Sequence, residues 1–444
     1  MNRFIQTKFG MLLPLLAALP MFAAAEPAAS DAPAGKVFNV RQYGAKGDGQ
    51  TLDTAAFQST LDACATAGGG KVEVPAGTYL IQPIVLKGNN LTLQVDDGAT
   101  VQGTDNFADY SRVGNSAKAQ ALISGQNLTN LTLTGPGVVD GAGMKWWLEV
   151  RAAKKAAKAA SKATGEAREK IATRSRPHLV DLTHCSHLRV ENLTLQNSPE
   201  FHLVPKECAD VTIDGVTIRA PEDAPNTDAI DPYNCQHLTI TRSVLDVGDD
   251  NIALKSGSID PAHPDAACAD ILVEACTFQH GHGLSIGSEV VGGIQNLTVR
   301  NCVFMDTVSG IRIKSARGRG GLVAHCTYSD LTMNNVRMPV DISCYYQKGA
   351  DTDTAEPLTP LTPRFTDIHI HNLSATGATQ AGRLIGLPES RVDGFELDGV
   401  TIASERGFEL KNAKKVKFKK VGIASADGHS FTMQSTEIMG LGGQ

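Results

Sequence analysis

Residues 208–218 read CADVTIDGVTI, and the same pattern returns as CSHLRVENLTL from Cys185, CQHLTITRSVL from Cys235 and CADILVEACTF from Cys268. Each unit runs cysteine, two residues, an aliphatic, one residue, an aliphatic, then a second short apolar group. LTNLTLTGPGVV from Leu128, IQNLTVRNCVF from Ile294 and FTDIHIHNLSA from Phe365 keep this template without the leading cysteine. Cys185 and Cys208 are 23 residues apart, Cys208 and Cys235 27, and Cys276 and Cys302 26, a period that signals a solenoid. The runs alternate Val, Ile, Thr and Leu with polar residues and are bounded by Gly, Asn, Asp and Ser, so they read as short strands. A unit of two or three such strands cannot bury its own apolar face. Stacked on its neighbours at ~4.8 Å per coil it forms a parallel β-helix, an all-β fold. A β-sandwich with irregular loops would not place equivalent residues once per unit. The recurring cysteines then sit on adjacent coils, as small core residues or as disulfides, since coil spacing lies within the range a disulfide tolerates. Spacing does not choose between these, although nine cysteines leave at least one without an intrachain partner.

With 444 residues, 42% hydrophobic and 20% charged, the chain is globular and long enough for two ordinary domains or one elongated one. A formal charge of -6 argues against a nucleic-acid partner, so any cationic site must be local. MNRFIQTKFGMLLPLLAALPMFAAAEPAAS opens with Arg3 and Lys8, then an apolar run too short to span a bilayer, then Ala23-Ala24-Ala25. This is a secretory signal peptide over residues 1–25, which places the remaining chain, 26–444, in an oxidising compartment as one secreted solenoid domain. No later stretch is apolar enough to enter a membrane. The expected state is a monomer.

Two segments depart from the repeat. An amphipathic stretch from Thr54 to Ala65 reads as a helical cap closing the first coil. Residues 144–176, MKWWLEVRAAKKAAKAASKATGEAREKIATRSR, are rich in Ala, Lys and Glu and read as an inserted helix with a solvated charged face. The basic segment KNAKKVKFKK, 411–420, reads as a solvated closing coil.

Polar residues interrupt the repeat at one-coil intervals. PNTDAIDPYN carries Asn226, Asp228 and Asp231; VGDDNIALKSG carries Asp249, Asp250 and Lys255; HGHGLSIGSE carries His280, His282, Ser285 and Glu289; SGIRIKSARG carries Arg312 and Lys314. His202 lies one coil before Asp228, and Tyr346 one coil after Lys314, where it would offer an aromatic platform. Stacking brings Asp228, Asp249, Asp250, His282, Arg312 and Lys314 onto one stripe, acidic at its centre and basic or aromatic at its margins. That layout suits carboxylates that cut a bond in an anionic ligand. Adjacent residues of a regular strand face opposite ways, so the backbone must bend at Asp249 and Asp250, with Gly248 permitting it. Three clustered carboxylates cannot all ionise freely, so at least one holds a proton, and activity should peak on the acid side of neutrality.

NTDAID, GDDNIALKSG, GHGLSIGSE and GIRIKS together resemble the motifs of glycoside hydrolase family 28, the polygalacturonases. The likeness extends through FNVRQYGAKGDG, WW, RPHLV and NSPEFHL to most of the chain. It implies a right-handed parallel β-helix that hydrolyses α-1,4 links of demethylated pectin, with inversion and without metal or other cofactor. It further implies Asp249 as general acid, Asp228 and Asp250 as holders of the attacking water, and His282 as the residue tuning the acid. Arg312 and Lys314 would bind a substrate carboxylate, with Tyr346, Asn226, His202 and Lys255 completing the binding set. Asn251 stands where many relatives have cysteine, which puts a local disulfide in doubt and leaves the chemistry untouched. Endo action is expected, since no long insertion blocks the cleft; exo-polygalacturonase and rhamnogalacturonan hydrolase are the enzymatic alternatives. A calcium-dependent lyase would leave an unsaturated product. A non-catalytic polysaccharide binder is disfavoured by 5% aromatic content and two tryptophans.

Overall fold

The computed structural model describes residues 35–110, 119–164, 174–257, 267–346 and 354–439; the segment 1–25, expected to be a signal peptide, lies outside them. Successive strands pair in parallel with the strand one coil earlier and one coil later. A column of inward side chains shows the register: Val190, Ile213, Ile240, Val273, Val299, Tyr328, Ile370 and Leu397 follow one another on consecutive coils. All are at most 1% exposed. Burying each aliphatic member contributes roughly 1.5–3 kcal/mol before chain entropy is counted, so the coils hold one another in place.

Each coil contributes to three sheets. In one coil, Gln236–Thr241 lies in the first sheet, Val244–Val247 in the second and Ile252–Ser256 in the third. The coils wind right-handed. The start of each first-sheet strand repeats a left-handed residue, at Asn130, His187, Asp210, His237, Asp270, Asn296, His325 and Asp367. Asn, Asp and His tolerate positive φ better than other non-glycine residues, which explains their recurrence there.

All nine cysteines are buried free thiols. Cys185, Cys208, Cys235 and Cys268 occupy equivalent places, as the flanking register of Ser186, Ala209, Gln236 and Ala269 shows. They fill the core as small side chains. Phe278 and Phe304 stack the same way, their centroids 4.3 Å apart.

The cap is a helix over Thr54–Thr66 that buries Phe57, Leu61 and Cys64 against the first coils. The insert is a helix over Met144–Thr164. Trp146 and Trp147 root it in the core, and the Trp147 indole donates to Ser198 O at 3.1 Å. Lys414, Lys415 and Lys419 of the basic C-terminal segment pair with Asp393 and Asp398 on the preceding coil, but the segment does not close the solenoid, since Lys411, Ala413 and Val416 pair in turn with Gln434, Thr436 and Ile438. No helix among the described residues is long and apolar enough to cross a membrane.

Candidate active site

The acidic stripe lies at the corner where the chain leaves the second sheet and enters the third. Val244–Val247 ends the second-sheet strand and Ile252–Ser256 begins the third, so Gly248 to Asn251 form the bend. Both aspartates of the GDDN step reach the same side because the chain turns between them. Gly248 serves this by permitting close approach: a Cβ there would meet Ala224 O at 2.4 Å and Glu222 O at 2.9 Å. Asn251 ties the corner down. It is fully buried, donates to Leu245 O and Gln279 O, and accepts from Gly283 N. The position that departs from the family pattern therefore replaces any disulfide with three hydrogen bonds. On the next coil, Gly281 with φ 59° passes over the Asp249 carbonyl, where a Cβ would sit 2.4 Å from that oxygen, and this crossing places His282 above the aspartates.

Backbone register carries the rest. Ala229 N donates to Asp250 O, and His282 N donates to Asp249 O, so Asp228, the Asp249–Asp250 pair and His282 belong to three successive coils. Arg312 follows Ser285 one coil later. Asp250 is 2% exposed and accepts from Lys314 Nζ at 2.5 Å, Ser285 Oγ at 2.8 Å and Arg312 Nη1 at 3.3 Å. Burial works against its charge, yet Lys314, His282 and Arg312 outweigh burial and hold the carboxyl well below the usual range. His282 Nδ1 lies 2.9 Å from Asp249 Oδ1 and 3.5 Å from Asp250 Oδ1, without an aligned hydrogen bond to either. Burial disfavours the imidazolium, but the two carboxylates push its pKa up to about 9.

Asp228 behaves oppositely. Its Oδ1 is buried with no hydrogen-bond partner. Burial, reinforced by the charges of Asp231, Asp249 and Asp250, raises its pKa well above the carboxylate range. Asp231, 1% exposed, is raised to about 6 by burial, which Lys255 at 3.2 Å offsets only in part. Asp249 is the more open member, its side chain 23% exposed, with Asn226 Nδ2 at 3.3 Å from Oδ2.

Other members of the sequence-read set fall into different places. Arg312 and Lys314 reach Asp250 rather than standing free in the cleft. Tyr346 presents its ring to Lys314 Nζ, 5.5 Å from the centroid. Lys255 pairs with Asp231 and lies over the Phe201 ring. His202 is corrected: it is 0% exposed, with Nε2 accepting from Ser198 N and Nδ1 at 3.0 Å from Asp228 O. It buttresses the Asp228 backbone from within the core and cannot meet a ligand.

Arg176 was not singled out from the sequence. Buried, it donates to Pro199 O, Pro225 O and Asn226 Oδ1 and so sets the loop ahead of Asp228. Its one signal was RPHLV, where a cation precedes a strand in a chain that has few buried charges. Asp341 was missed as well; it joins Arg312 at 3.7 Å to Arg383 at 2.6 Å. Asp249, Asp250 and His282 bring ligand atoms within 4.8 Å of one another, a spacing that a metal ion tolerates. Lys314 and Arg312 already supply that corner with positive charge, so the donor set suits an ionised carboxylate held by cations better than a divalent ion.

A parallel β-helix with carboxylates and cations gathered along one corner is the plan of a polysaccharide-cleaving solenoid. Residues 64–425 match the model of glycosyl hydrolases family 28, and the chain belongs to that family: it is a glycoside hydrolase. It is 32% identical to a polygalacturonase of Chamaecyparis obtusa over 84% of this chain and 68% of the relative. It is 30% identical to an endo-polygalacturonase of Pectobacterium carotovorum over 68% of this chain and 74% of the relative. Among solved structures, a family 28 exopolygalacturonase of Yersinia enterocolitica superposes with a TM-score of 0.77 at 22% identity, covering 92% of this chain and 79% of that one, which bears on the fold alone.

Proposed function

We propose that the chain is a secreted, monomeric polygalacturonase that hydrolyses α-1,4-galacturonosyl links of polygalacturonate and pectin with inversion, without metal, and by endo attack. The observation that carries this reading is the division of proton affinity among neighbouring carboxylates. Asp250 is held ionised by Lys314 and Arg312, whereas burial makes Asp228 grip a proton.

Asp249, the open member, meets the glycosidic oxygen and passes it a proton. His282, whose Nδ1 lies 2.9 Å from Asp249 Oδ1 and which stays charged up to about pH 9, resupplies that proton. Asp228 Oδ1 and Asp250 hold the attacking water, and Asp250, the member held as a carboxylate, is the acceptor of the water's proton. As the C–O bond to the leaving sugar breaks and the water oxygen bonds to the anomeric carbon, charge within the protein shifts by one proton from the Asp249–His282 pair to Asp250. Arg312 Nη1 and Nε face Asp250 and Asp341, which leaves Nη2 for a substrate carboxylate beside the Tyr346 platform. The relatives' names supply the substrate class, and both endo- and exo-acting proteins are among them.

The test is reducing-end release from polygalacturonate at mildly acidic pH with chelator present, with viscosity followed in the same samples. Rapid viscosity loss after few cuts supports the reading. Slow loss with monomer or dimer release makes the enzyme exo-acting, and binding without release makes the stripe a recognition groove. Proton NMR of the first product anomer decides inversion, and an ultraviolet-absorbing product would mean a lyase.

A further inference from the structure

The corner that carries Asp249 and His282 continues toward the C-terminus. Val308 N donates to Gly281 O, Met338 N to Val308 O, and Thr379 N and Gln380 N both donate to Arg337 O. Gln380 is in register with Arg406 on the following coil. Arg337 therefore stands three coils beyond Asp249, roughly 14 Å along the stack, and Arg406 two coils further.

Between them lies a cavity of about 380 Å³ lined by Val308, Ser309, Arg337, Asp341, Gln380 and Arg406, among others. Both arginines are exposed, and neither guanidinium has an ion-pair or side-chain hydrogen-bond partner among the described residues. The one carboxylate of the lining, Asp341, is 8% exposed and already neutralised by Arg383 Nε at 2.6 Å and Arg312 Nε at 3.7 Å. The cavity thus carries an uncompensated charge of two guanidiniums in a chain whose net charge is -6. Guanidinium forks match carboxylates in a planar, bidentate geometry.

We propose that Arg337 and Arg406 form a distal subsite for a uronate carboxylate of the same polysaccharide chain, several sugar units away from the scissile bond. This rests on the polygalacturonase reading of the neighbouring aspartates. The subsite makes long chains better substrates than short ones, because only a long chain fills the catalytic corner and this cavity together.

The experiment compares kcat/KM on a ladder of oligogalacturonides, from the shortest one cleaved up to polymer, for wild type, Arg337→Gln, Arg406→Gln and the double variant. The expected result is a loss of about tenfold or more for the double variant on long oligomers, carried by KM, and an unchanged value on the shortest. Arg337→Lys should recover part of the loss. An equal loss at every length would make the arginines structural, and no loss at any length would make the cavity unoccupied during turnover; either overturns the proposal. Calorimetric binding of a long oligogalacturonide to Asp249→Asn, with and without the two arginine substitutions, separates the two readings. If wild type cleaves no galacturonan, the catalytic reading fails, and weaker binding by the arginine variants still supports the subsite, whereas unchanged binding rejects it.

Discussion

Lys314 Nζ and Asp250 Oδ2 meet at 2.5 Å with both side chains buried, so a lysine that sequence reading assigns to substrate instead holds a carboxylate of the candidate centre in its ionised form. Asp250→Asn should cost about 3–5 kcal/mol of stability, because it leaves Lys314 buried without its counter-charge. Asp250→Asn combined with Lys314→Met should regain most of that stability while activity stays lost. Urea unfolding and reducing-end assays on the three proteins check this, and an Asp250→Asn single variant as stable as wild type would refute the account. Since the folded pKa of Asp250 is depressed, its contribution is present above the unfolded value near 4 and is lost as pH falls through the folded one.

Asp249→Asn should lower turnover by ~10² or more, far beyond what the lost contact with His282 costs in stability. The rate of wild type should peak on the acid side of neutrality, because the clustered carboxylates cannot all ionise freely and at least one must keep its proton. A profile flat from about pH 4 to about pH 9 would contradict the sharing of protons among these groups.

Thermal stability should vary with pH in two windows. Burial lifts Asp231 to about 6, so the native state binds that proton more tightly than the unfolded chain, and the contribution of Asp231 weakens as pH rises from near 4 through about 6. Asp231→Asn should flatten this window. His282, raised to about 9 against the opposing effect of burial, contributes stability fully below its unfolded value near 6.5 and loses it as pH rises through about 9. His282→Gln should remove that alkaline loss. Midpoints recorded across both windows for the three proteins test the slopes, and parallel curves would defeat the assignment.

Gly248→Ala should destabilise the enzyme by about 1–3 kcal/mol and lower activity by more than the stability loss explains. The added Cβ would meet the Ala224 carbonyl at 2.4 Å and push the loop ahead of Asp228 away from Asp249. Near-wild-type kinetics would show that the corner can yield.

The repeat was legible because its apolar residues are also its structural ones. Ile213 and Ile240 mark successive coils by sequence spacing alone, and the structure places them in register. The stripe was legible for the same reason, since a near-constant coil length converts spacing into proximity. Direction of pairing was not. Nothing in GIRIKS tells whether Arg312 and Lys314 point at a ligand or at Asp250, because that depends on how far the third-sheet strand advances relative to the corner one coil earlier. His202 looked available because its interval to Asp228 equals one coil, but the interval does not distinguish the inside of the solenoid from the outside. Arg176 was hidden because its partners are backbone carbonyls of Pro199 and Pro225, which no residue pattern encodes. Gly248 was read as a conformational hinge, whereas the structure needs it for space.

Coil-on-coil stacking has a consequence for how such a chain fails and changes. Each turn is held only by the two beside it, so opening begins at a terminal turn and must unzip inward before it reaches Asp249 and His282, which have many turns on either side. Partial melting should therefore shorten the groove from its ends before it silences the centre. Terminal turns are correspondingly free to be added, lost or recharged without retuning the proton chemistry in the middle.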